Sequence, residues 1–160
     1  LANNSIPVVS MGDMVRAEVK RRGIPEEPSV FGRIATELRK EFGEDVLAQR
    51  LTKAVDGLLE ENQIVLIEGL RGTAEREVFS NHWGENFLVV AVTASLELRF
   101  QRVQSRGRSE DGELDDFLAR DEREKGWGLG QIIEEADKKF PNEAGLEELQ
   151  ELVSDWLNLL

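Results

Sequence analysis

Apolar residues recur along the chain at two different periods. Ile6 to Ser10 is a short β-branched run that reads as a buried strand, and Met14, Val15 and Val19 then fall at helical spacing over 12–22. "GIPEEPS" breaks the pattern with two prolines, so Pro28 or Ser29 opens the next helix. Val30, Phe31, Ile34, Ala35, Leu38 and Phe42 give that helix one apolar face, and Gly43 ends it. Leu47, Leu51, Ala54, Val55, Leu58 and Leu59 repeat the pattern over about 44–61.

The period then changes. "QIVLIEG" (63–69) and "NFLVVAVTAS" (86–95) are the clearest buried strands, and "TAEREVFSNHW" between them is a short helix. Strand, helix, strand implies a crossover and parallel pairing. Helices follow through Arg106, over 114–125 and over 129–137, with a weaker strand signal at "KKFPN". A last amphipathic helix presents Leu146, Leu149, Leu152, Val153, Trp156 and Leu157. Alternating strands and helices predict a three-layer α/β fold with a mostly parallel sheet. The strands are few for such a fold. "LANN" at the start reads as the last turn of a helix, so an amino-terminal segment is expected ahead of it.

Composition narrows the class. One domain with a sizeable core suits 160 residues, 40% of them apolar and 32% charged. No run is long enough to span a bilayer, and there is no cysteine for disulfides or thiolate metal sites, which suits a cytoplasmic protein. A formal net charge of −12 argues against a general nucleic-acid binder, since phosphate backbones are held by surplus Lys and Arg. A salt-adapted host and an ordinary acidic surface explain this acidity equally well. Oligomeric state stays open, a dimer included.

Ser10–Asp13, Glu68–Arg71 and Thr93–Ser95 follow the three predicted strands, and a parallel sheet would bring them to one edge, where α/β folds place ligands. Arg16, Arg71, Arg102, Arg106, Arg108, Arg120 and Arg123 set the expected chemistry there. Guanidinium groups bind phosphate bidentately, so their convergence suits phosphoryl transfer. Each residue also has a plainer reading. Asp13 and Arg16 fit an ordinary helix start. Glu68 fits a surface carboxylate, and the later arginines fit a solvated face neutralised by Glu110, Asp111 and Glu113. His82, the single histidine, reads as structural or exposed.

"VVSMGDMVR" resembles the monophosphate-binding turn of adenylate kinases over Val9 to Arg16, with Met11 in place of their threonine. "IVLIEGLRGTAE" resembles the strand plus Asp-Gly-Phe-Pro-Arg of that family, and more closely a stretch of uncharacterised archaeal proteins related to adenylate and dephospho-coenzyme A kinases. "LRFQRVQSRGRSED" resembles the lid entry of these kinases, and "RDEREKGWGLGQIIEEAD" with "NEAGLEEL" the archaeal group's carboxyl half. The resemblance spans nearly all 160 residues. It implies a P-loop kinase-like fold with 12–61 as a helical acceptor-binding insertion and 102–126 as a lid-like segment. It further implies ATP as donor, Mg²⁺ near Glu68 through water, and a nucleoside monophosphate or dephospho-coenzyme A as acceptor.

By the same resemblance Ser10, Gly12, Asp13, Arg16, Gly69 and Arg71 form the acceptor site. Glu68, Arg102, Arg106 and Arg120 act on the transferring group, and Arg108 and Arg123 belong to the lid. One departure is large: no G-x-x-x-x-G-K-[ST] occurs in the sequence. The resemblance places the first strand and P-loop upstream of "LANN", in about 20 to 25 residues. A non-catalytic nucleotide-binding or interaction protein that lost its donor site is the alternative expectation.

Overall fold

The computed structural model describes residues 6–108 and 111–159. Leu1–Ser5, with the "LANN" helix end read from the sequence, lie outside the described residues, as do Ser109 and Glu110 of the lid-like segment.

Strand β1 (Val8–Ser10) runs directly into α1 (Met11–Arg21). Asp13 in the first turn of α1 and Lys20 and Arg21 in the last complement the helix dipole. Helix α2 (Pro28–Phe42) starts on the proline, whose missing N–H costs nothing there, and stops at Gly43 with φ of +107°. After α3 (Val46–Leu59) comes β2 (Leu66–Glu68), then α4 (Thr73–Trp83). The expected apolar faces of α1, α2 and α3 close on one another as the main core, built on Val15, Val19, Phe31, Ile34, Leu38, Leu47, Leu51 and Val55. Phe79 of α4 completes it, stacked on Trp83 at 5.3 Å and against Phe87 at 5.6 Å. Full burial of side chains this size contributes about 1.5–3 kcal/mol each.

The second half is β3 (Val90–Thr93), α5 (Leu96–Arg106), α6 (Leu114–Gly126), α7 (Leu129–Glu134), β4 (Lys138–Pro141) and α8 (Leu146–Leu157). The weak signal at "KKFPN" is therefore a strand. Val89, Ala91, Phe117, Ile132 and Phe140 are buried in this half. Helix α8 meets β4 through Trp156, edge-on to Phe140 at 5.8 Å. Its apolar stripe is only partly covered, Leu146 staying 67% exposed, because β4 is the element it packs against.

Pairing is parallel throughout, as expected, but it is not one sheet. β1 pairs with β2 and β3 pairs with β4, giving two separate two-stranded parallel sheets among the described residues. The expected direct pairing of β2 with β3 is absent among these residues. A helical crossover fixes relative direction and handedness without requiring the two strands to be neighbours. Of the three strand ends expected on one edge, the pairing aligns those of β1 and β2.

Candidate functional site

The parallel register sets Ser10, the last residue of β1, opposite Glu68, the last of β2. Side chains in register on adjacent strands point the same way, and the Ser10 hydroxyl donates to Glu68 Oε1 at 2.8 Å. Ser10 is also the residue that caps α1, yet its side chain makes no capping bond. Its hydroxyl serves Glu68 instead, and the first-turn N–H groups of α1, which have no partner inside the helix, face this end of the strands.

Arg16 lies back across that turn. Its Nε donates to Asp13 Oδ1 at 2.9 Å, and a terminal nitrogen reaches the same oxygen. A Cβ built on Gly12 would stand 3.4 Å from both terminal nitrogens of Arg16 and 3.5 Å from Ser10 Oγ. A side chain at Gly12 would meet both groups at ordinary contact distance, so the guanidinium and the hydroxyl close over the same turn. Gly69 closes the other side with φ of +92°, and its own Cβ would sit 3.5 Å from Met11 Cβ and 3.7 Å from Gly12 N. Ser10, Gly12, Asp13, Arg16, Glu68 and Gly69 thus meet in one crevice, where a cation, a hydroxyl and a helix N-terminus suit a phosphate.

The other candidates fall in two further clusters, with Arg102 apart from both. Arg71 turns to α6, its Nε 3.3 Å from Glu124 Oε2 and its NH1 donating to the Leu70 carbonyl at 3.0 Å. Arg123 lies against the same elbow, its guanidinium 5.7 Å from the Trp127 ring and packed over Gly32, where a Cβ would come within 2.4 Å. Burial pulls its pKa below the usual arginine value, and repulsion from Arg120 and Arg39 adds to that. Arg102 donates to the Asn142 carbonyl at 2.8 Å, just beyond β4.

Arg106, Arg108 and Arg120 converge on Asp111, which is 3% exposed. Asp111 takes a fork from Arg106, the Arg108 N–H at 3.0 Å, and Arg120 through its backbone carbonyl at 3.3 Å. Burial by itself would raise the Asp111 pKa, but these donors outweigh it and hold it below the usual carboxylate range. The lid-like arginines are therefore organised about an internal anion.

No group of three or more His, Cys, Asp or Glu side chains is arranged to hold a metal among the described residues. One carboxylate beside one hydroxyl, Glu68 and Ser10, still fits Mg²⁺, which keeps several waters and is bound by one or two carboxylates plus phosphate oxygens. His82 is structural. Its Nε2 lies 2.9 Å from Asp56 Oδ2, and Asp56 also accepts from Trp83 Nε1 at 2.9 Å, clasping α3 to α4. The shallow hollow of about 460 Å³ beside it, lined by Gln49, Thr52, Val78, Asn81 and His82, lacks the cations a phosphate needs.

Sequence reasoning missed Glu75, Arg39 and their contact with Trp127. The one available signal was a glutamate three residues after Gly72, the spacing of a capping box at the start of α4.

A family model described as an AAA domain matches residues 2–116. Over 158 residues the chain is 41% identical to a UPF0200 protein of Methanosarcina acetivorans, covering 98% of this chain and 83% of that one. It is 41% identical to a UPF0200 protein of Methanoregula boonei over 96% of this chain and 83% of the relative. For a UPF0200 protein of Pyrococcus horikoshii the identity is 35%, with 91% and 79% covered. The chain belongs to the UPF0200 family. Membership bears out the resemblance to an archaeal P-loop group that the motifs suggested, and with the AAA domain it carries a P-loop NTPase-type fold. A nucleotide is the ligand class such a domain implies. No described helix of this UPF0200 chain is long and apolar enough to cross a membrane.

Proposed function

We propose that this UPF0200 protein is a nucleotide kinase that transfers the γ-phosphoryl group of ATP to a nucleoside monophosphate or a nucleotide-like acceptor such as dephospho-coenzyme A. The observation that carries the reading is the Arg16 guanidinium lying over Gly12 beside a Ser10 hydroxyl already bonded to Glu68. Arg16 holds the acceptor phosphate, exchanging its contact with Asp13 for a second anion. Ser10 and the first-turn N–H groups of α1 orient that phosphate, and Gly69 leaves room for it. Glu68 orients a magnesium-bound water or the attacking oxygen. Magnesium, when bound with ATP, neutralises charge on the phosphates. Arg106 and Arg120, aligned by Asp111, together with Arg102, Arg108 and Arg123, shield the transferring group. Arg71 braces the acceptor loop through Glu124. Such transfers depend on positioning and charge stabilisation. In this reading 12–61 is the acceptor-binding region and 102–126 the lid.

The test is coupled-assay turnover of the full-length protein with ATP, Mg²⁺ and a panel of monophosphates and dephospho-coenzyme A. Turnover on one acceptor class above the ATPase background is expected. Binding without turnover on any acceptor would instead assign a non-catalytic nucleotide-binding protein.

A further inference from the structure

Glu75 is fully buried, at 0% exposure, although no step of the proposed chemistry uses it. Its Oε1 accepts from Arg39 NH2 at 2.5 Å, and its Oε2 accepts from the Gly72 N–H at 2.9 Å and the Arg71 N–H at 3.3 Å. Arg39 reaches it from the last turn of α2, itself only 7% exposed, with its guanidinium carbon 4.0 Å from the centroid of the Trp127 ring. The Trp127 carbonyl in turn accepts the Thr73 N–H at 3.1 Å. One carboxylate therefore joins the acceptor-side helix, the loop after β2 and the start of α4.

We infer that Glu75 is a positioning residue for the crevice: by accepting the Arg71 and Gly72 N–H groups, its side chain fixes the 69–72 loop that carries Gly69 and Arg71 and follows Glu68. This rests on the nucleotide-site reading above for its consequence, but not for its geometry. Stability alone does not account for the pair. Apolar residues of similar volume at a buried ion pair are often neutral or stabilising, because two charges must be desolvated to make it. What an apolar pair cannot supply is an acceptor for the Arg71 and Gly72 N–H groups. The loop would then lose its anchor while the helical core remained.

The experiment compares two double variants of the full-length protein by amide hydrogen exchange and by calorimetric titration with AMP. Arg39→Met/Glu75→Leu removes charge and acceptor together. It is expected to speed exchange of the Arg71 and Gly72 amides at least tenfold, to leave the Val15, Ile34 and Leu51 amides unchanged, and to weaken AMP binding about tenfold. Arg39→Met/Glu75→Gln keeps an acceptor oxygen, and both loop amides should stay within threefold of wild type. Loop exchange unchanged in the leucine variant, or equally fast in the glutamine variant, would overturn the inference. The glutamine variant alone decides it if the leucine variant does not fold. Wild-type protein that binds no AMP or other acceptor would sink the nucleotide reading, while the exchange comparison would still decide the role of Glu75.

Discussion

Replacing Gly69 with alanine tests whether the crevice depends on a backbone conformation or merely on space. A Cβ at this position would meet Met11 Cβ at 3.5 Å and Gly12 N at 3.7 Å, which is ordinary contact, so crowding contributes almost nothing. The cost comes from φ of +92°, where an L side chain meets its own backbone at about 1–2 kcal/mol. In a domain of this size each kcal/mol lowers Tm by about 2–4 °C, so Gly69→Ala should melt about 2–8 °C below wild type. Strain relief would turn the 69–70 peptide and displace Glu68 from Ser10, so acceptor affinity should fall with stability. Gly57→Ala is the internal control. Gly57 lies inside α3 with nothing within 4 Å of a built Cβ, and alanine is about 1 kcal/mol better in a helix interior. Scanning calorimetry should therefore move the two variants in opposite directions. A Gly69→Ala protein as stable as wild type, or two shifts of the same sign, would refute the reasoning.

Phe79→Ala should cost about 3–5 kcal/mol in a denaturant titration, because it empties the centre of the Trp83 and Phe87 cluster. Asp111→Asn should lower stability by about 1–3 kcal/mol, since it leaves Arg106 and Arg120 without the anion that aligns them; an unchanged midpoint would remove Asp111 from that role. Acid should destabilise the fold through its paired carboxylates. Hydrogen bonds from Arg21 and then Arg22 hold Glu18 at about 2 against an ordinary 4.5, and those from Arg99 lower Asp121. Their folded pKa values are depressed, so the unfolded chain binds more protons. The stabilisation is complete above about pH 4.5 and is lost as pH falls toward about 2. Urea midpoints should fall across that window, and Glu18→Gln should flatten the fall.

The helices of the first half were readable because Val15 and Val19, or Ile34 and Leu38, repeat at the period that buries one helix face. Pro28 and Gly43 marked ends by backbone chemistry alone. Ser10, Gly12 and Arg16 were readable as a unit because they sit within one strand-to-helix turn. Strand adjacency was not, since the spacing from β2 to β3 is equally compatible with pairing directly or with standing apart. Arg71 illustrates a second limit: the resemblance put it in the acceptor pocket, but its direction depends on Glu124, 53 positions on in the sequence. Arg39 and Glu75 were hidden for a related reason. A charged residue beside an apolar helix face reads as solvated until the element that buries it, here α4 with Trp127, is in place.

Calorimetric titration of the full-length protein with AMP and with adenosine, repeated on Arg16→Ala, tests the acceptor site most directly. Charge-assisted hydrogen bonds of this kind are worth about 1.5–3 kcal/mol each, or roughly 10- to 150-fold in affinity. AMP, or the monophosphate that the turnover panel selects, should bind at least tenfold more tightly than its nucleoside, and Arg16→Ala should remove most of that difference while leaving Tm unchanged. Equal affinity for nucleotide and nucleoside, or a phosphate preference undiminished by Arg16→Ala, would contradict the account.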